Sequence, residues 1–211
     1  MYLLLSRKGC PKSFRRNSFA NRTYRGVDLV RSVLSFKHYA RKRVLRGRDS
    51  ERSREAQNAM INELRQLKRL SHIHLVKIIT SYTDNEYIAY LMEPIADCTL
   101  ETLLATNSPP TPDYKAMVRT FYGCLAGALN YLHKNKVRHR DITARNILIK
   151  RGQVYLADFG SAYNSSHCVG SATRHLHTPV SMDYMAPEVA KREERDSKSD
   201  MFSLGVIFLE M

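Results

Sequence analysis

Two carboxylates and an amide at fixed separations constrain this chain more than any other feature. Asp141 closes the triplet His139-Arg140-Asp141, Asn146 follows five residues later, and Asp158 opens Asp158-Phe159-Gly160 a further twelve along. Two short apolar runs, Ile147–Ile149 and Val154–Leu156, lie between Asn146 and Asp158 and are split by Arg151-Gly152-Gln153. That pattern predicts a β-hairpin carrying a polar residue at each end. Asn146 and Asp158 are hard oxygen donors of the kind Mg²⁺ prefers. An Asp141 carboxylate facing a substrate hydroxyl has the chemistry of a general base.

Ala186-Pro187-Glu188 ends a 31-residue segment that begins at Asp158. Taken with the two earlier motifs, in this order, it resembles the eukaryotic protein kinase family. Tyr39-Ala40-Arg41-Lys42-Arg43, His72-Ile73-His74-Leu75-Val76, Ser81-Tyr82-Thr83-Asp84 and Pro94-Ile95-Ala96-Asp97-Cys98 are similar to fungal-type serine/threonine kinase domains. The resemblance covers about residues 20–211. It implies an α+β, two-lobed fold: a small, mainly-β N-lobe over 21–92 with one major helix, a hinge at 93–96, and a larger, mainly-α C-lobe over 97–211. That C-lobe is expected to be incomplete, with the domain truncated at its C-terminus, and residues 1–20 to be a disordered or non-native leader.

The same resemblance implies an ATP- and Mg²⁺-dependent transfer of the γ-phosphate to serine or threonine hydroxyls of protein substrates. Asp141 would be the catalytic base, with Asn146 and Asp158 as metal ligands. Lys42 would grip the α- and β-phosphates, paired with Glu63 on the following helix; Lys77 is a poorer candidate because it lies past that helix. Val27, Ala40 and Leu148 would sandwich the adenine, Met92 would stand as gatekeeper, and Glu93 C=O and Ile95 N–H would read the base edge. Pro94 has no N–H, but it falls between those two groups. Asp200 would brace the catalytic loop from below. Arg140 would be held by a phosphate on Ser165, Ser166, Ser171, Thr173 or Thr178, with Arg174 and His175 in reach.

Three departures from the family pattern matter. Ala20, Arg22 and Arg25 stand where the glycine-rich loop places glycines. Thr143 replaces the lysine usual two residues after the base, so Arg145 is expected to supply the cation near the γ-phosphate. An arginine at that position is familiar from tyrosine kinases, but Ser181 stands where serine/threonine kinases place a threonine and favours the latter class. The arginine that normally pairs with Glu188 would lie beyond Met211. The alternative to an active enzyme is a pseudokinase or truncated kinase fragment acting as a binding module.

Local patterning agrees with strands before helices. Residues 27–44 suit two short strands, 75–82 and 87–92 two more about the turn 83–86, and Met60, Leu64 and Leu67 one face of a helix over 53–70. Thr99–Leu104 suits a short helix. A long one follows with Met117, Phe121, Cys124, Leu125, Ala128, Leu129 and Leu132 as its apolar stripe. Met201–Leu209 reads as the opening of a buried helix.

Charge is uneven. Residues 1–75 hold 19 Lys+Arg against 5 Asp+Glu, and residues 76–211 hold 15 of each, so the whole net charge of +14 precedes the motifs. One reading is a patch for acidic peptides, nucleic acid or anionic membrane. Without interleaved aromatics the favoured one is a solvated basic face with a disordered basic leader, with no specific nucleic acid and no membrane as partner. Four scattered cysteines, Cys10, Cys98, Cys124 and Cys168, point to a reducing cytoplasmic or nuclear setting. A monomer is expected.

Overall fold

The computed structural model describes residues 14–16, 27–45, 61, 64, 68–84, 87–105, 111–159, 163–164, 182–191, 193 and 195–211. The chain divides into two compact units, residues 1–68 with 76–95, and residues 69–75 with 96–211.

The first unit is built on a five-stranded antiparallel sheet: β1 (Phe14–Arg16), β2 (Val27–Ser32), β3 (His38–Leu45), β4 (Lys77–Thr83) and β5 (Tyr87–Glu93), in the order β1-β2-β3-β5-β4. β1 lies inside the stretch read as a loose leader. An edge strand of three residues needs only backbone partners, which β2 supplies, so no apolar alternation marks it. Side chains alternate across a strand, and here both faces are covered. Ile88, Tyr90 and Met92 form one cluster with Val27, Ala40, Leu64 and Ile78 packed on it. Val30, Tyr82, Ala89 and Leu91 form the other, with Tyr39. A β-bulge between Ile78 and Thr80 shifts the β4 register. It lets Ile78 and Tyr82, an even number of residues apart, serve opposite faces.

The second face buries charge. Arg41 donates to Asp28 through Nε at 2.9 Å and Nη2 at 2.5 Å, and through Nη1 to the Tyr82 hydroxyl at 3.0 Å. Arg43 Nη2 lies 3.4 Å from the same carboxylate, its guanidinium 4.9 Å from the Tyr87 ring centroid. The Asp28 hydrogen bonds hold the Arg41 guanidinium above its ordinary pKa, although burial opposes them. A bidentate, desolvated pair of this kind fixes geometry more surely than it adds stability.

In the second unit, β6 (Cys98–Thr99), β8 (Ile147–Lys150) and β9 (Gln153–Leu156) make one sheet, and β7 (Val137–Arg138) pairs with β10 (Tyr163–Asn164). The expected hairpin is β8–β9. Its turn uses two residues rather than three, because Gln153 pairs with Lys150. Arg151 and Gly152 both have positive φ, 49° and 73°, as a type I′ turn requires.

Among the described residues the unit's α-helices are α1 (Leu100–Leu104), α2 (Pro112–Lys134), α3 (Pro187–Ala190) and α4 (Ser197–Glu210). Thr99 and Thr111 cap α1 and α2 by accepting from Thr102 N–H and Tyr114 N–H. α2 buries Val118, Phe121, Leu125, Ala128, Leu129 and Leu132. Met117 and Cys124 from the expected stripe sit half-buried at its border. α4 begins four residues ahead of Met201, with Asp196 as N-cap. It is also not buried all round, since Met201, Phe202 and Leu209 are exposed.

Breaking the Asp28–Arg41 pair from one side should be costly. Asp28→Asn is expected to destabilise the first unit by about 3–5 kcal/mol in urea titration, because it strands the buried Arg41 charge. Arg41→Met should cost less, because Arg43 still faces Asp28. The double substitution Asp28→Leu/Arg41→Met should recover most of that loss.

Candidate functional site

Asp200, in the first turn of α4, is the centre from which the His139–Asp141 loop is held. Its buried carboxylate accepts His139 N–H (2.8 Å) at Oδ2, Arg140 N–H (2.8 Å) at Oδ1, and His133 Nε2 (3.0 Å) at Oδ2. Burial pushes this carboxyl upward, but the His133 bond, the nearby His139 and the two backbone donors outweigh it. The net shift is downward, so Asp200 stays ionised. With these amides fixed, Arg140 can adopt φ 69°, a left-handed backbone that side chains rarely take. Asp200 therefore braces the loop as anticipated. His133 is the partner that sequence reading missed, although its position four residues after Leu129 places it one turn along the buried stripe.

His139 is buried against Phe159, with ring centroids 4.8 Å apart. Asp141 N–H donates to its Nδ1 at 3.3 Å, so Nε2 carries the proton given to Ala157 C=O at 3.0 Å. One imidazole thus ties the loop before Asp141 to the residue before Asp158. A second tie is direct: Ala157 N–H donates to Asn146 C=O at 2.9 Å.

Asn146 is buried in a 3₁₀ turn (Ala144–Asn146), and its Nδ2 donates to the Asp141 carbonyl at 2.8 Å and to Asp141 Oδ2 at 2.9 Å. With the nitrogen committed, the amide oxygen accepts no hydrogen bond among the described residues. Asp158 follows at φ 66°, a second left-handed residue. The structure thus brings Asp141, Asn146 and the backbone of Asp158 together on one hydrogen-bonded frame. The donor chemistry fits Mg²⁺, which needs only one or two protein oxygens besides water and phosphate. Among the described residues no three His, Cys, Asp or Glu side chains form a metal cluster.

Arg145 is exposed, with Nε 3.8 Å from Glu101 Oε1 of α1. Thr143 is buried, and its hydroxyl has no hydrogen-bond partner among the described residues. Glu188 of α3 accepts from Ser199 Oγ at 2.7 Å. Glu188 thus has a hydrogen-bond partner, Ser199, within this chain. Arg138 donates to the Arg195 carbonyl, and burial pulls the Arg195 pKa down. Leu148 is half-buried in β8.

In the first unit, Lys42 pairs with Val27 and Tyr90 across the sheet. That register sets it on the face of Val27, Ala40 and Met92, while Arg41 and Arg43 take the other. Glu93 ends β5, and Ile95 follows two residues on, half-buried. Glu63, Ser181, the stretch 20–26 and the candidate phosphorylation sites with Arg174 and His175 lie outside the described residues.

The protein kinase domain family matches residues 23–211. Similar curated proteins include the mitogen-activated protein kinase kinase kinase MST11 of Pyricularia oryzae, 30% identical over 160 residues, which is 72% of this chain and 17% of that protein. The serine/threonine-protein kinase pak-2 of Caenorhabditis elegans is 30% identical over 161 residues, 76% of this chain and 30% of its own length. STE20 of Yarrowia lipolytica, also a serine/threonine-protein kinase, is 33% identical over 154 residues, covering 72% and 13%. The chain thus spans less than a third of each of these relatives, and further relatives come from plants and human.

Asp200 makes the loop acid-sensitive. Its pKa is lowered on folding, so its contribution is complete above about pH 4 and is lost as pH falls through the lowered value. Asp200→Asn should cost about 2 kcal/mol or more at pH 7 and flatten the acid limb of stability against pH. Thr143→Val, which removes a buried hydroxyl without a partner among the described residues, should be neutral or stabilising in thermal melts.

Proposed function

The chain belongs to the protein kinase family, and within it we propose a catalytically competent domain that moves the γ-phosphate of ATP to serine or threonine hydroxyls of protein substrates. The observation that carries this is the Asn146–Asp141 contact. It orients the Asp141 carboxylate through the Asn146 amide nitrogen, which supports a base at Asp141 and an Asn146 oxygen for a cation. Asp141 would take the proton of the attacking hydroxyl. Asn146 and Asp158 would hold Mg²⁺, which when bound neutralises phosphate charge. Lys42 would grip the α- and β-phosphates, with Glu63 as its partner. Val27, Ala40, Met92 and Leu148 would contact the adenine, with Glu93 C=O and Ile95 N–H on its edge. Arg145 would turn from its exposed pair with Glu101 to the γ-phosphate.

The lobes would run over 21–92 and 97–211 about a hinge at 93–96, in a monomer. A cytoplasmic or nuclear site is supported by Cys98 and Cys124, both free thiols. Among the described residues no helix is long and apolar enough to cross a membrane.

Asp141→Asn should lower turnover by about 10²–10⁴-fold while leaving Mg-ATP binding in thermal-shift titration unchanged. Binding without turnover in the parent chain would favour a pseudokinase module instead. Arg145→Ala should cut kcat with little change in nucleotide affinity; equal loss of both would remove Arg145 from the γ-phosphate.

A further inference from the structure

We infer that the tip of the β2–β3 hairpin is a peripheral contact site for an anionic lipid surface. Residues 33–38 are all exposed. Three of them are large and apolar: Leu34 is 83% accessible, Phe36 64% and Val33 36%. Scattered single apolar residues are ordinary on a protein surface, whereas a contiguous group marks an interaction site.

The tip is preformed. Ser32 N–H donates to Lys37 C=O at 2.8 Å, and Ser35 N–H donates to Ser32 Oγ at 3.1 Å. Phe36 is held at φ 55°, a left-handed backbone that a bulky side chain adopts only at a cost. Its ring meets the guanidinium of Arg31, 5.1 Å from the centroid, and both residues are exposed. The strain therefore serves to display the ring rather than to bury it.

Charge selects the occupant. Residues 29–48 contain seven Lys+Arg and no Asp or Glu. Arg41 and Arg43 turn to Asp28 and Lys42 lies on the opposite face, while Arg31 and Lys37 flank the apolar tip. An exposed apolar hairpin tip flanked by two cations complements an anionic bilayer, where the side chains enter the acyl boundary and the cations stay with headgroups. The tip carries no carboxylate or amide side chain with which a protein groove would set its register. This departs from the expectation of no membrane partner, and the contact is peripheral, not a span. It stands independently of the phosphoryl-transfer proposal.

The test is co-sedimentation of the full chain with vesicles of phosphatidylcholine alone or with added phosphatidylserine. The parent should bind the mixed vesicles and bind the neutral ones more than about tenfold more weakly. Leu34→Ser/Phe36→Ser should weaken binding to mixed vesicles by more than about tenfold, and Lys37→Glu by about tenfold. Thermal melts should be unaltered because these side chains are exposed. The chain has no tryptophan, so Phe36→Trp gives a single reporter whose emission should shift to the blue on mixed vesicles. Three results would overturn the proposal: no binding of the parent, undiminished binding of the double variant with an unshifted tryptophan, or a change only in oligomeric state.

Discussion

A buried carboxylate that stays charged organises the second unit. Asp200 sits in the first turn of α4, yet its oxygens are spent on a loop some sixty residues earlier in the chain and on the last turn of α2. Ionised groups are expensive inside a protein unless fully hydrogen-bonded, and three donors satisfy that condition here. Once the two amides are fixed, the left-handed Arg140 follows, and Asp141 is delivered where Asn146 can meet it. The position of the Asp141 carboxylate is thus set from behind, through the bonds that Asp200 makes to the loop and to His133.

His139 extends that frame sideways. Its ring accepts from Asp141 and donates to Ala157, so one buried imidazole joins the loop to the β9 end. The Asn146–Ala157 backbone bond runs beside it. Redundancy of this kind lets the strained Arg140 and Asp158 backbones persist, since each is over-determined by neighbours that cannot all relax together.

Much of this was legible in the residues. The β8–β9 hairpin announced itself by two apolar runs about Arg151-Gly152, and the motif spacing placed Asp141, Asn146 and Asp158 on one loop system. What escaped has physical causes. β6, β7 and β10 are two residues each, too short to show alternation. The first turn of α4, Ser197-Lys198-Ser199-Asp200, is polar because it caps and braces, so it lacks the periodicity that reveals a helix. The β4 bulge breaks the parity on which strand faces are read. The charged face of the first sheet was invisible because Asp28, Arg41 and Arg43 look like ordinary surface residues until Tyr82 and β5 close over them.

Adjacency of Arg41 and Lys42 has a consequence for how such a strand can evolve. The two cations occupy consecutive positions and opposite sides, one clamped to Asp28 and the other beside Val27 and Tyr90. Loss of a single residue from His38–Ala40 would exchange them, seating an ammonium where a planar fork is needed and a guanidinium in the lysine's place. Substitutions along β3 can therefore accumulate singly, while length changes before Arg41 survive only in compensating pairs.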